Sequence, residues 1–152
     1  MNLEMIPLAM GAVLVVAMVL EIKTGRIPNW LTLVPFALFA VLLVMVEDRT
    51  PLYWQMGLAV GTFIFGLVLF AIGGSGAGAV KLLAGTALFV PFENAFFTFL
   101  LFLAIFFGSS IIIVALRKVF GSEDSSWHVM ANAVLPLSFS IGMAGLLGMF
   151  AF

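Results

Sequence analysis

Long apolar runs fill this chain, and short polar clusters interrupt them. Apolar residues make up 64% of its 152 residues, charged residues make up 9%, and the mean hydropathy is +1.32. A soluble domain has an apolar share of about 45–50%, and each helix that spans a bilayer needs about 20 residues. The sequence therefore predicts an all-α integral membrane protein, a six-span helical bundle that forms one domain over residues 1–152.

Loops rich in charge, glycine or proline divide the apolar sequence into six predicted spans. Aromatic residues that favour the membrane interface, Trp30, Tyr53, Trp54 and Trp127, stand at span ends. The fourth run is too short to span comfortably unless it begins inside the membrane. The predicted spans cover residues 5–20, 30–46, 53–72, 80–90, 95–116 and 129–152.

Four glycines within residues 73–78 open the fourth run. Glycine costs a helix about 1 kcal/mol relative to alanine, and irregular backbone at membrane depth is tolerated only where protein or a water-filled cavity covers it. We therefore expect a broken, glycine-rich entry to helix 4 and a functional site there. Gly76 and Gly78 are expected to make a sharp turn that lets a substrate backbone approach. Gly57 and Gly61, four residues apart, are expected to allow close helix packing.

The basic residues are distributed unequally among the loops. The loops after spans one, three and five hold five of the six, and the remaining one, Arg49, follows span two. The positive-inside rule then predicts that the odd-numbered loops are cytoplasmic and that both termini lie outside the cytoplasm. Glu21 and the glycine-rich segment would share the cytoplasmic face. The five are Lys23, Arg26, Lys81, Arg117 and Lys118.

Charge and composition also restrict the partners. A net charge of −1 argues against a nucleic-acid partner. The chain has no cysteine, which excludes thiolate metal sites, and its single histidine cannot build a metal centre. We expect no metal and no cofactor, and membrane lipid as the surrounding partner.

Two segments carry a resemblance to a known family. Residues 21–32 read Glu-Ile-Lys-Thr-Gly-Arg-Ile-Pro-Asn-Trp-Leu-Thr, and residues 74–83 read Gly-Ser-Gly-Ala-Gly-Ala-Val-Lys-Leu-Leu. In this order they resemble the type IV prepilin peptidases, a family of intramembrane aspartyl proteases, and most of all the short form that serves Tad/Flp-type pili. The six-span layout and residues 135–142 extend the resemblance over essentially the whole chain.

The resemblance implies a prepilin leader peptidase of a bacterial inner membrane. It would cut a pilin-like precursor on the cytoplasmic side, between a basic leader and the hydrophobic helix that follows. The short form lacks the N-methyltransferase domain, so we expect processing without methyl transfer. Such enzymes hydrolyse peptides with two carboxylates that share one proton, because like charges so close cannot both ionise.

The chain departs from the family at both catalytic positions, where Glu21 and Ala79 replace the usual aspartates. Removing one member of a catalytic unit costs on the order of 10⁴ to 10⁶ in turnover, so we expect a nearly or wholly inactive protein. Ala79 is either an engineered inactivation, which the intact flanking motif favours, or a natural feature of a non-catalytic relative. Glu21 could be engineered or natural.

The resemblance implies that Glu21 and position 79 face each other across the site, with Lys81 positioning the second acid or the substrate. Gly76, Gly78, Asn29 and Arg26 complete the predicted set of site-shaping or substrate-binding residues. Simpler roles remain open: Glu21 as an interfacial carboxylate, Lys81 and Arg26 as topology anchors, and Asn29 as a helix cap. The alternative functions are a non-catalytic pilin-binding or pilus-assembly membrane protein and, more distantly, a small transporter or channel.

Overall fold

Six α-helices and one short 3-10 helix build the part of the chain that the structure, a computed structural model, describes. That part comprises residues 5–71, 76–120 and 137–151, and it contains no strand. The all-helical prediction is confirmed. The helices are α1 (Met5–Thr24), α2 (Asn29–Met45), α3 (Thr50–Ala71), α4 (Ala77–Ala87), α5 (Ala95–Phe120) and α6 (Leu137–Phe150), and the 3-10 helix Phe92–Asn94 precedes α5.

Helix length separates the predicted spans into two groups. The stretches Met5–Thr24, Thr50–Ala71 and Phe92–Leu116 are long and apolar enough to cross a membrane, whereas α2, α4 and α6 are shorter apolar helices. With 11 residues, α4 extends about 16 Å, well short of a hydrocarbon core of about 30 Å. The first part of the predicted sixth span, with Trp127, lies outside the described residues.

The glycine-rich entry to helix 4 is a real break. Helix α3 ends at Ala71, and α4 begins at Ala77 after Gly76, whose φ of −84° and ψ of 152° are extended. Gly78, however, lies within the first turn of α4. The sharp turn expected at Gly76 and Gly78 is therefore wrong for Gly78, which has helical backbone.

Glycine also ends α1. Gly25 has a φ of 68°, in the left-handed region that side chains disfavour, and its N–H donates to the carbonyl oxygen of Glu21 at 2.8 Å. This is the αL type of C-terminal cap. Pro28 follows and lacks an N–H, so the chain turns away from α1 before α2 begins.

Four helices form the buried centre of the bundle. Helix α1 packs against α2 and α6, and α4 packs against α2, α3 and α6, so α1 and α4 stand diagonally across a ring of four. Helices α3 and α5 lie outside this ring: only 11% and 6% of their most apolar stretches are buried, against 33% for α1. Their remaining surface suits lipid.

Glycines set how closely the inner helices approach. A Cβ added at Gly85 would lie 2.8 Å from the Cβ of Pro35, so α4 meets α2 nearly backbone to backbone. Small residues allow such approach in membranes. At three other contacts a glycine leaves room for a side chain of the neighbouring helix, where Gly66 meets Val80, Gly142 meets Met18 and Gly145 meets Thr86.

Gly57 and Gly61 do not take part in this packing. A Cβ added at either would find no neighbouring atom within 4 Å, so the expectation that they pack helices within this chain is wrong. Helix α3 instead buries Leu52, Ala59 and Gly66. Gly66 follows Gly61 by five residues, which at about 100° per residue turns it to the other side of the helix.

We predict that Gly85→Ala destabilises the bundle by about 1–3 kcal/mol, because the new methyl group overlaps the rigid ring of Pro35. Gly57→Ala is the matched control: it adds the same methyl group in open space and should leave stability unchanged or raise it by about 1 kcal/mol. Thermal unfolding in detergent measures both. Equal shifts for the two variants would contradict the role given to Gly85.

Candidate functional site

Glu21 reaches from the last turn of α1 to the start of α6. Its Oε2 accepts two hydrogen bonds from Ser138, one from the backbone N–H at 2.7 Å and one from the hydroxyl at 2.5 Å. Ser138 is the second residue of α6, where backbone N–H groups have no acceptor within their own helix. Glu21 is half-buried, and its other oxygen, Oε1, has no hydrogen-bond donor among the described residues.

The loop after α1 touches the beginning of α4. A Cβ added at Gly78 would lie 3.1 Å from both the Cβ and the carbonyl oxygen of Ile27. Nearby, Lys81 Nζ donates a hydrogen bond to Asn29 Oδ1 at 3.2 Å. The two sequence segments that carry the family resemblance therefore meet, through Ile27 and Asn29, at the end of the bundle where Glu21 lies.

Ala79 is buried in the hydrophobic core with 2% of its surface exposed. Its backbone N–H donates to the carbonyl oxygen of Gly76 at 3.0 Å. A methyl group neither accepts nor donates a proton. The carboxylate of Glu21 contacts α6, and α4 lies across the ring from α1, so a direct approach of Glu21 to position 79 stays a prediction.

The remaining predicted residues have different surroundings. Asn29 does not cap α2, whose N-cap is Pro28 without a side-chain hydrogen bond; its side chain binds Lys81 instead. Arg26 is exposed, and its carbonyl oxygen accepts a hydrogen bond from the Thr24 hydroxyl at 3.2 Å. No described contact joins the Arg26 side chain to Glu21. A Cβ at Gly76 would have no neighbour within 4 Å.

Other carboxylates of the described chain lie at the opposite end of the bundle. Glu47 and Asp48 precede α3, and Glu93 precedes α5; the rings of Trp54 and Phe92, 5.2 Å apart, join these two loops. The N–H of Thr50 donates to Asp48 at 3.0 Å and lowers the pKa of that exposed carboxyl. Residues 5–71, 76–120 and 137–151 include no group of three side chains able to hold a metal ion.

A cavity of about 290 Å³ lies between α3, α4, α5 and α6. Its walls come from the second half of α4 and the turn after it, including Leu83, Thr86 and Val90, and from facing residues such as Phe65 and Phe99. None of the described residues that line it is charged. The cavity is separate from Glu21 and provides apolar space rather than acid or base chemistry.

Sequence reasoning missed two residues of this region. Ser138 stands two positions after Pro136 in the sequence, and since proline is favoured in the first turn of helices, a hydroxyl close after a proline was the available signal. Ile27 lies inside residues 21–32, where its spacing from Glu21 supports the resemblance but does not indicate a contact with α4. Both contacts join residues far apart in the chain, and no local pattern specifies such pairs.

Comparison with known proteins adds to this geometry. The model of the type IV leader peptidase family matches residues 8–116, which include Glu21, Ala79 and Lys81 but not Ser138. Neither the curated proteins nor the solved structures contain a match. Because the match extends over most of the chain and includes both segments that meet at Ile27 and Asn29, the chain belongs to the type IV leader peptidase family.

Proposed function

We propose that this chain has the scaffold of an aspartyl prepilin leader peptidase and is inactive as written, because Ala79 occupies the position of the second acid. Its substrate would be a pilin-like precursor whose hydrophobic helix lies beside the bundle in a bacterial inner membrane. The observation that carries the proposal is the meeting of the Glu21 segment with the start of α4, where position 79 presents a buried methyl group.

The chemistry explains the predicted inactivity. Hydrolysis by an acid pair needs one carboxylate to activate water and a second, protonated carboxyl to donate to the substrate carbonyl. At this end of the bundle Glu21 is the one carboxylate in the described part of the chain, and Ser138 already occupies its Oε2. A single carboxyl group cannot be base and acid in the same step.

A second candidate function is a non-catalytic protein that holds pilin subunits or pilus-assembly components on the same scaffold. Two observations favour it. Glu21 is bound to Ser138 as an interhelical contact, and Ala79 is buried as a member of the hydrophobic core. Both residues then serve the fold, and the experiment that follows separates the two functions.

We predict that Ala79→Asp gives measurable cleavage of a pilin precursor leader in membranes, at least about 10²-fold above the parent chain. The restored pair would recover most of the 10⁴ to 10⁶ loss expected for one missing member, reduced by the extra methylene of Glu21, since a misplacement near 1 Å costs about 10²-fold. Mass spectrometry of the released leader measures the rate.

Ala77→Asp is the matched control, because it adds the same charge to the same turn of α4 at an exposed position. It should give no cleavage. Cleavage by the parent chain would contradict the predicted inactivity. No cleavage by Ala79→Asp, alone or combined with Glu21→Asp, would contradict the peptidase proposal and support the binding function, provided that both variants remain folded.

A further prediction concerns the contact between α4 and the α1–α2 loop. In the Ala79→Asp background, Gly78→Ala should lower the cleavage rate, by less than the roughly 10²-fold that a misplacement near 1 Å costs, because its methyl group would lie 3.1 Å from Ile27 and displace the loop slightly relative to α4. Gly76→Ala should leave the rate within about twofold, since nothing lies within 4 Å of its added Cβ. Equal rates in the two variants would show that this contact does not shape the site.

The topology can be tested with single cysteines, because the chain has none of its own. The proposed cytoplasmic site predicts that Thr24→Cys reacts with a membrane-impermeant maleimide only after the inner membrane is opened. Glu47→Cys, exposed at the other end of the bundle, should react in intact spheroplasts. The reverse pattern would place the Glu21 end outside the cytoplasm and contradict the proposed localisation.

A further inference from the structure

We propose that Ser138 is the positioning residue for Glu21: it holds Oε2 so that Oε1 is the oxygen presented to the reacting groups. This inference rests on the proposed function and deepens it. Ser138 lies outside residues 8–116, the part of the chain that the family model matches. It is therefore assigned from the structure of this chain alone.

The two hydrogen bonds fix the direction of the carboxylate. Both donors of Ser138 converge on Oε2, at 2.7 Å and 2.5 Å, so Ser138 occupies one oxygen of the carboxylate, and no donor among the described residues reaches the other. Hydrogen bonds to a charged group are shorter and stronger than neutral ones. Rotation about the last side-chain torsion of Glu21, which is soft for a free glutamate, would break both bonds at once.

The surroundings of Ser138 keep it in place. Its side chain is 0% exposed, and its Oγ lies 3.4 Å from the carbonyl oxygen of Ala17, one turn before Glu21. A few residues further along α6, Gly142 meets Met18 of α1 closely enough that a Cβ would lie 2.6 Å from its Sδ. Gly142 leaves room for the Met18 side chain, and α6 packs against α1 along the stretch that presents Ser138 to Glu21.

Electrostatics favour the same partner. An anion in the last turn of α1 faces the negative end of that helix dipole, which is unfavourable. The start of α6 supplies N–H donors and the positive end of its own dipole, and the Ser138 amide points at Oε2. The partner that stabilises Glu21 thus belongs to another helix.

The length of the Glu21 side chain suits its contact with Ser138. An aspartate at position 21 would draw the carboxylate back by about 1.5 Å, one carbon–carbon bond, and the hydroxyl bond of 2.5 Å would be lost. Glutamate at position 21, where the family carries aspartate, is the residue that reaches Ser138. The residue that departs from the family pattern is therefore the same residue that accepts the hydrogen bonds from α6.

The test compares Ser138→Ala with two control variants. One keeps the hydroxyl that binds Glu21, and the other removes a hydroxyl elsewhere on α6. Ser138→Thr keeps the hydroxyl. Ser140→Ala removes another fully buried hydroxyl of α6, one that has no hydrogen-bond partner among the described residues, so the same chemical change is made away from Glu21. Thermal unfolding in detergent establishes that each variant is folded.

The first measurement needs no activity and uses the chain as it is. Dicyclohexylcarbodiimide enters membranes and modifies carboxyl groups, and peptide mass spectrometry reads its addition at residue 21, with Glu21→Gln as the blank. Ser138→Ala should raise the labelling rate about tenfold, the expected effect of one lost hydrogen bond to a charged group. Ser138→Thr and Ser140→Ala should stay within about twofold of the parent. An unchanged rate in Ser138→Ala, or an equal rise in Ser140→Ala, would overturn the inference.

The second measurement adds each variant to Ala79→Asp and follows leader cleavage. Ser138→Ala should lower kcat about tenfold with KM unchanged, and Ser138→Thr should restore it. A kcat that does not change would overturn the positioning role. If Ala79→Asp does not cleave, either alone or combined with Glu21→Asp, the proposed function fails, and labelling still decides separately whether Ser138 holds Glu21.

Discussion

The close approach of α4 to its neighbours is the constraint on which the rest of this structure depends. Helix α4 is too short to cross a bilayer alone, and the backbone after Ala87 is buried. Irregular backbone at that depth is stable only where protein surrounds it. Glycines at the contacts with α2, α3 and α6 bring the neighbouring helices near enough to provide that cover. At its other end, α4 contacts Ile27 and Asn29 through Gly78 and Lys81.

The parts of the fold that follow local rules could be predicted from the sequence. The end of α1 follows from Gly25 and Pro28, whose backbone preferences do not depend on distant residues. The break before α4 follows from the density of glycine in residues 73–78. Gly57 and Gly61 show the limit of such rules: a pair of small residues permits close packing on one face, but the partner helix decides which face is used, and α4 packs against the face that carries Gly66.

The candidate site also has a part that could be predicted from the sequence and a part that could not. Two recognisable sequence segments contain the predicted site residues Glu21, Asn29, Lys81 and position 79, so these residues could be predicted. The hydrogen bond between Glu21 and Ser138 joins residues 117 positions apart, and neither the residue types nor their spacing predicts this pair. It became visible only once α1 and α6 were packed together. Within the described residues, Ser138 binds one oxygen of the Glu21 carboxylate and no donor reaches the other.

The left-handed backbone of Gly25 has a consequence for how this protein tolerates change. Between α1 and α2, the direction of the chain is set by the one residue type that lacks a chiral centre, and any other residue at this position would be strained. Such strain would tilt the segment that carries Ile27 and Asn29, which is the surface that the start of α4 contacts. The geometry of the candidate site therefore depends on Gly25, which contacts none of its reactive atoms. Mutations should reduce function at such positions as well as at residues that could take part in the chemistry.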